Sequence, residues 1–176
     1  MALVVFLRGI NVGGHRTFRP SVLAQQLKQF DAVSIGAAGT FVIRRPVRRA
    51  LLRAEMVSRL PFNAEIFIFE GREILRLMSQ NPFGRRPAPP KIVRFVSVLS
   101  RRPKSEPSMP AVFPSSGTWL MKIMTRRGRF VLGAYRRHMR VIRYLGTLDR
   151  LFGVLTTTRN WNTISATAKV LETGKN

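Results

Sequence analysis

Short apolar runs of strand length, alternating with amphipathic helical stretches, predict an α+β fold built from two related halves. Three observations carry the prediction. Residues 2–7, 64–69 and 92–99 are nearly continuous apolar runs, the pattern of buried strands. Residues 20–30 and 46–60 each begin with proline and repeat apolar residues at helical spacing. Residues 84–90 hold only Gly, Arg, Pro and one Ala, the composition of a linker.

The elements follow in order. Residues 2–7 form the first strand, and the glycines of the segment from Gly9 to Gly14 mark the turn after it. Pro20 opens a helix whose inner face carries Val22, Leu23, Leu27 and Phe30. Residues 32–35 and 41–43 form two short strands around the turn at 36–39. Pro46 opens the second helix, with Val47, Leu51, Ala54, Val57 and Leu60 on its apolar face. Residues 64–69 form the next strand, and Ile74, Leu75 and Met78 suggest a short helix before Asn81-Pro82-Phe83. The order through residue 69 is βαββαβ, the ferredoxin-like unit.

The second half reads as a shortened or modified repeat of that unit. It starts with the strand at 92–99, followed by a Pro-rich irregular loop over 101–117. Residues 118–125 and 129–135 form a hairpin, and a final helix covers roughly residues 160–172. The segment 141–153 reads as a short strand followed by a helix around 148–152. Domain boundaries are placed at 1–84 and 91–176, with 85–90 as the linker.

Composition narrows the function. No apolar run approaches the length of a membrane-spanning helix, about 20 residues. The N-terminal run lacks the basic flank of a signal peptide, so a cytoplasmic location is expected. The chain has no cysteine, which removes disulfides, thiolate metal sites and thiol nucleophiles. Its 2 histidines, His15 and His138, have no spaced partner, and no metal or other cofactor is expected. No Ser-His-acid arrangement is visible in the spacing, so catalysis is the minority reading.

The charge is the strongest signal. Lysine and arginine number 31 against 8 acids, a formal net charge of +23. Arginine outnumbers lysine 25 to 6. Guanidinium groups pair with phosphate bidentately and stack on bases, so the bias suits a phosphate-rich partner. A GC-rich genome would also favour arginine over lysine, but it does not account for the shortage of acids. The candidate nucleic-acid-binding residues are Arg44, Arg45, Arg48, Arg49, Arg126, Arg127, Arg129, Arg136, Arg137 and Arg140. Tyr135, Tyr144 and Trp119 lie among the later clusters and could stack on bases, with core burial the stronger expectation for Trp119.

Two further segments stand out: Leu7-Arg8-Gly9-Ile10-Asn11-Val12-Gly13-Gly14 and Thr158-Arg159-Asn160-Trp161-Asn162-Thr163. Together with Asn81-Pro82-Phe83 they resemble the bacterial family called domain of unknown function 1697. The resemblance implies a pair of ferredoxin-like subdomains and no established activity. Where that family shows a Ser-Gly-Asn turn, this chain has Ala38-Gly39-Thr40. The glycine segment lacks both the P-loop ending and the dinucleotide spacing, and reads first as a tight turn. The segment at Arg159 reads first as the start of a helix with Trp161 in the core. The alternative is a polar ligand site built from Arg8, Asn11, Gly13, Gly14, Arg159, Asn160 and Asn162.

Three functions stay open. The first is a non-catalytic binder of nucleic acid or another polyanion. The second is an enzyme or binding protein for a small anionic or phosphorylated ligand between the two halves. The third is a protein-interaction module whose charge reflects genome composition.

Overall fold

The computed structural model describes residues 1–10, 14 and 17–174. It is a mixed α+β structure with two antiparallel sheets, and it divides into two compact units. Unit one comprises 1–80 and 162–176, and unit two comprises 81–161. The last helix therefore groups with the first unit, although it follows the second in sequence.

Unit one is built on β1 (Leu3–Arg8), β2 (Ala32–Ile35), β3 (Thr40–Ile43) and β4 (Glu65–Glu70), in the order β2-β3-β1-β4. β1 is central, pairing antiparallel with β3 on one side and β4 on the other. Its side chains alternate between two buried faces, which explains the unbroken apolar run. Leu3, Val5 and Leu7 join Phe41, Ile43, Ile66 and Ile68 in a cluster with residues of α1 (Pro20–Gln26) and α2 (Arg49–Arg59). Val4 and Phe6 point the other way, and Phe6 meets Phe69 edge to face at 5.2 Å.

The helices refine the sequence reading. α1 ends at Gln26, and residues Lys28–Phe30 form a separate 3₁₀ turn. α2 starts at Arg49 rather than Pro46, because Arg48 is extended. Its buried stripe is Leu52 and Met56, one turn apart, while Leu51 and Val57 are exposed. A stripe this narrow buries only one side of the helix, and Leu51 lies about 100° away from Leu52 around the axis.

α3 (Gly71–Ser79) follows β4 directly and is closed by a capping box, with Glu73 accepting the Glu70 N–H at 3.2 Å. α6 (Trp161–Thr173) buries Ile164, Ala168 and Leu171. A Cβ on Gly71 would lie 2.5 Å from the tip of the Leu171 side chain, so a larger residue at the start of α3 would require that side chain to shift. Gly39 is similarly constrained: it has positive φ, and a Cβ there would strike Ile10 and Leu7.

Unit two carries β5 (Ile92–Leu99), β6 (Ala111–Phe113), β7 (Met121–Arg127), β8 (Phe130–Arg136) and β9 (Thr156–Asn160), ordered β6-β7-β8-β5-β9. β5 is buried between β8 and β9, as β1 is between β3 and β4. Phe95, Leu99, Met121, Ile123 and Val131 pack with Leu148 and Phe152 of α5 (Leu148–Phe152).

Three elements depart from the sequence reading. β6 lies inside the Pro-rich segment, flanked by Pro110 and Pro114 at the sheet edge, where missing N–H groups are tolerated. The expected strand at the start of 141–153 is instead helix α4 (Val141–Gly146). Arg159 and Asn160, expected at the start of a helix, instead end strand β9, which includes the preceding threonine run, and α6 starts only at Trp161. Threonine is β-branched and suits a strand, but the run has no apolar alternation to reveal it.

Two predictions follow from this packing. A Cβ at Gly133 would collide with the Phe95 ring and the Lys122 carbonyl, whereas one at Gly146 would meet open space. Gly133→Ala should destabilise the protein by about 1–3 kcal/mol in urea unfolding. Gly146→Ala should be neutral or mildly stabilising.

The second concerns Asp31, which accepts hydrogen bonds from Arg44 Nε (2.8 Å) and Nη2 (2.9 Å). Those hydrogen bonds hold its carboxyl below the ordinary aspartate value. The folded state therefore gains stability from Asp31 above the ordinary aspartate pKa of about 3.9 and loses it as the pH falls through the lower folded value. In thermal melts from pH 7 to pH 2, Asp31→Asn should be less stable than the parent at neutral pH. The difference should close below about pH 4.

Candidate functional site

Among the described residues, the ligand set expected from the two end motifs divides between the units: Arg8, Gly14 and Asn162 fall in unit one, and Arg159 and Asn160 in unit two. Asn11 and Gly13 lie outside those residues. Arg8 ends β1 opposite Glu65, and Gly14 is exposed with φ +75. Asn162 is exposed in the first turn of α6. Arg159 and Asn160 are neighbours in β9, so strand alternation sends them to opposite faces of the sheet. Asn160 is exposed, and Arg159 is only 6% exposed.

The Arg159 guanidinium donates to Thr157 Oγ1 (3.1 Å) and to the Thr158 carbonyl (2.8 Å). Burial lowers its pKa to about 10. It therefore remains a cation at neutral pH, buried and oriented by these acceptors.

Several of the expected nucleic-acid residues are engaged within the protein. Arg44 is bound to Asp31, Arg49 pairs with Glu70 at 3.4 Å, and Arg126 is bound to Glu106 and to the Gly128 carbonyl. Arg45 donates to the Gln29 carbonyl at 3.3 Å. Arg48 is exposed just before α2, and Arg127 and Arg129 flank the β7–β8 turn. Arg137 and Arg140 are exposed.

Arg136 behaves differently. It ends β8, lies over the Trp119 ring at 4.5 Å, and its Nε donates to the Trp119 carbonyl at 2.9 Å. Lys122 also lies over that ring, at 4.4 Å. The registers set Arg94 opposite Ala134 and Ala134 opposite Lys122, so all three strands present these residues on one face. Arg94 in turn lies over Phe83 at 5.4 Å, and Phe83 meets Trp161 edge to face at 4.9 Å. Arg94, Lys122, Arg136, Trp119, Phe83 and Trp161 are all partly exposed. Two residues inward from Arg94 on that face, Arg159 sits opposite Val96.

This basic–aromatic face is the strongest candidate site. Sequence reading named Arg136 but missed Arg94, Lys122 and Phe83, whose grouping depends on strand register. It expected Trp119 in the core, whereas the residue is partly exposed, with two cations over its ring. Tyr135 and Tyr144 are not free for stacking: they pack on Phe95 and Phe113 within the apolar cluster, and burial raises the Tyr135 pKa. His138 accepts the Arg140 N–H at Nδ1 (3.1 Å) and so serves a local turn.

Charge reinforces the choice of unit two. Residues 81–161 contain 17 lysines and arginines against 2 acids, Glu106 and Asp149. Glu106 holds Arg126, and Asp149 accepts both the Thr156 N–H and its hydroxyl at 2.8 Å. In unit one, an open cleft of about 720 Å³ is lined by Arg49, Arg72 and Arg76, but Glu70 and Glu73 largely balance its charge. Among the described residues, no three His, Asp or Glu side chains gather as a metal site, and no helix is long and apolar enough to cross a membrane.

No curated protein matches the sequence. The structure is similar to that of a conserved bacterial protein from Streptococcus pneumoniae, with a TM-score of 0.57 and 14% sequence identity. The match covers 97% of this chain and 98% of the other, and at that identity it speaks to the fold alone. A family model described as "Protein of unknown function (DUF1697)" matches residues 1–112, and the chain belongs to that family.

Proposed function

We propose that the protein binds single-stranded nucleic acid through the basic–aromatic face of unit two. The observation that carries the reading is the placement of Arg94, Lys122 and Arg136 on one sheet face, seated over Phe83 and Trp119. Guanidiniums held over rings are preorganised, so less side-chain entropy is lost when a ligand arrives. Their planes and the partly exposed rings offer stacking surfaces to unpaired bases, and their charges pair with phosphate. A duplex hides its base faces and would use only the charge.

The fold supports the reading by analogy. Unit one has the βαββαβ succession with strand order β2-β3-β1-β4, which favours a ferredoxin-like assignment. Unit two repeats that order in β7-β8-β5-β9, with β6 added at the edge and no helix between β5 and β7. We read it as a modified copy. Sheets of this kind serve other proteins as RNA platforms, an analogy of fold and not of site.

A small anionic ligand is the second reading, favoured by the buried cation Arg159. The two readings separate on salt. Binding to a polyanion weakens steeply as salt rises, whereas a small-ligand site with a buried cation is screened less.

Fluorescence anisotropy with labelled single-stranded RNA, single-stranded DNA and duplexes, across salt concentrations, provides the test. Single strands should bind more tightly than duplexes of equal length. Arg94→Ala with Arg136→Ala should reduce the slope of log K against log salt by about 1.4 for single strands. Arg44→Ala with Arg126→Ala, which removes cations already committed to carboxylates, should change it much less. Equal effects from the two pairs would show that binding follows net charge, and the proposed face would fail.

A further inference from the structure

The turn after β8 and the start of α4 form an exposed basic knob that carries two exposed apolar side chains. Met139 is 88% exposed and Ile142 is 73% exposed, the two highest values among the exposed large hydrophobic residues. The turn is helical, with the Ile142 N–H donating to the Met139 carbonyl (3.4 Å) and the Arg143 N–H to the Arg140 carbonyl (3.2 Å). Residues three apart then share a side, so Met139 and Ile142 project together with Arg140 and Arg143 beside them. Arg137, Arg140 and Arg143 are all exposed. No acidic residue occurs between Glu106 and Asp149. Val141, between the two tips, is 3% exposed and roots the knob in unit two.

Nucleic acid accounts for the arginines but gains little from two aliphatic side chains in water. A protein groove would be expected to meet a broader apolar patch than two tips. One partner satisfies both features: an anionic lipid surface, whose headgroups attract the guanidiniums and whose acyl boundary takes up the apolar tips. From this charge complementarity and the high exposure of both apolar side chains we infer that Met139, Ile142, Arg137, Arg140 and Arg143 form a docking site for anionic membrane surfaces. The contact is peripheral and reversible, because two side chains and a few charges fall far short of an integral anchor. It uses residues other than Arg94, Lys122 and Phe83, so either site can exist without the other.

The absence of native cysteine permits a direct test. Met139→Cys can be labelled at a single position with an environment-sensitive fluorophore, and Met124→Cys on β7 serves as the control position. With vesicles of phosphatidylcholine plus phosphatidylserine, the label at 139 should brighten and shift to the blue, and the label at 124 should not. Vesicles of phosphatidylcholine alone should give little response. In vesicle co-sedimentation of the unlabelled protein, Met139→Ser with Ile142→Ser should weaken partitioning about tenfold. Arg140→Gln and Arg143→Gln should each weaken it about fivefold. All four positions are exposed, so circular dichroism and melting temperature should stay unchanged. Undiminished sedimentation of Met139→Ser with Ile142→Ser would reduce the interaction to charge alone and overturn the proposal. So would a change at 139 with single-stranded RNA and none with anionic vesicles, which would assign the knob to nucleic acid.

Discussion

The structure depends on two strands that are buried on both faces, β1 and β5. Each lies between two antiparallel neighbours, and Leu3–Leu7 of β1 and Phe95–Leu99 of β5 are buried whichever face they point to, while Arg94 at the start of β5 stays partly exposed. Such a strand needs apolar side chains at every position, which is why Leu3–Leu7 and Phe95–Leu99 carry almost no polar residue. The exception, Ser97, is satisfied by hydrogen bonding to the Thr158 hydroxyl. The same requirement forces close approaches at the edges of these strands. Gly39 lies against Leu7, and Gly133 lies against Phe95, each where a methyl group would not fit.

The second constraint is charge. With 8 acids for 31 cations, most carboxylates hold structural positions. Asp31, Glu55, Glu70 and Glu106 each bind arginine, Glu73 completes a capping box, and Asp149 fixes the start of β9. Exposed pairs of this kind contribute little to stability individually. Their larger effect is to remove particular arginines from the pool that a partner could meet. The excess that remains is concentrated in unit two, and there aromatic rings rather than carboxylates hold part of it. A ring fixes a cation without neutralising it, so Arg94, Lys122 and Arg136 keep their full charge in a defined geometry.

The same economy gives Arg159 a distinct character. It stands on the same sheet face as Arg94 but deeper, and desolvation lowers its affinity for a proton. The acceptors supplied by Thr157 and Thr158 are neutral dipoles that orient the guanidinium. The segment flagged by resemblance thus combines a buried cation, an outward Asn160 and a ring, Trp161, that meets Phe83 of the Asn81-Pro82-Phe83 segment.

Local pattern determined the α+β class, the family, and the strands at 32–35 and 92–99, because burial on both faces or clear turn residues write themselves into neighbouring positions. It also established the excess of cations. It could not decide the helix phase that buries Leu52 and leaves Leu51 exposed, since both are leucine and only the facing sheet distinguishes them. Nor could it reveal β6 or β9, whose proline and threonine compositions become strands only through pairing with β7 and β5. The candidate face belongs to the same category. Phe83, Arg94, Trp119, Lys122 and Arg136 span more than fifty positions, and strand register and ring contacts bring them together. Composition sets how many charges a chain carries, but tertiary structure decides which are cancelled, which are buried and which are held ready for a partner.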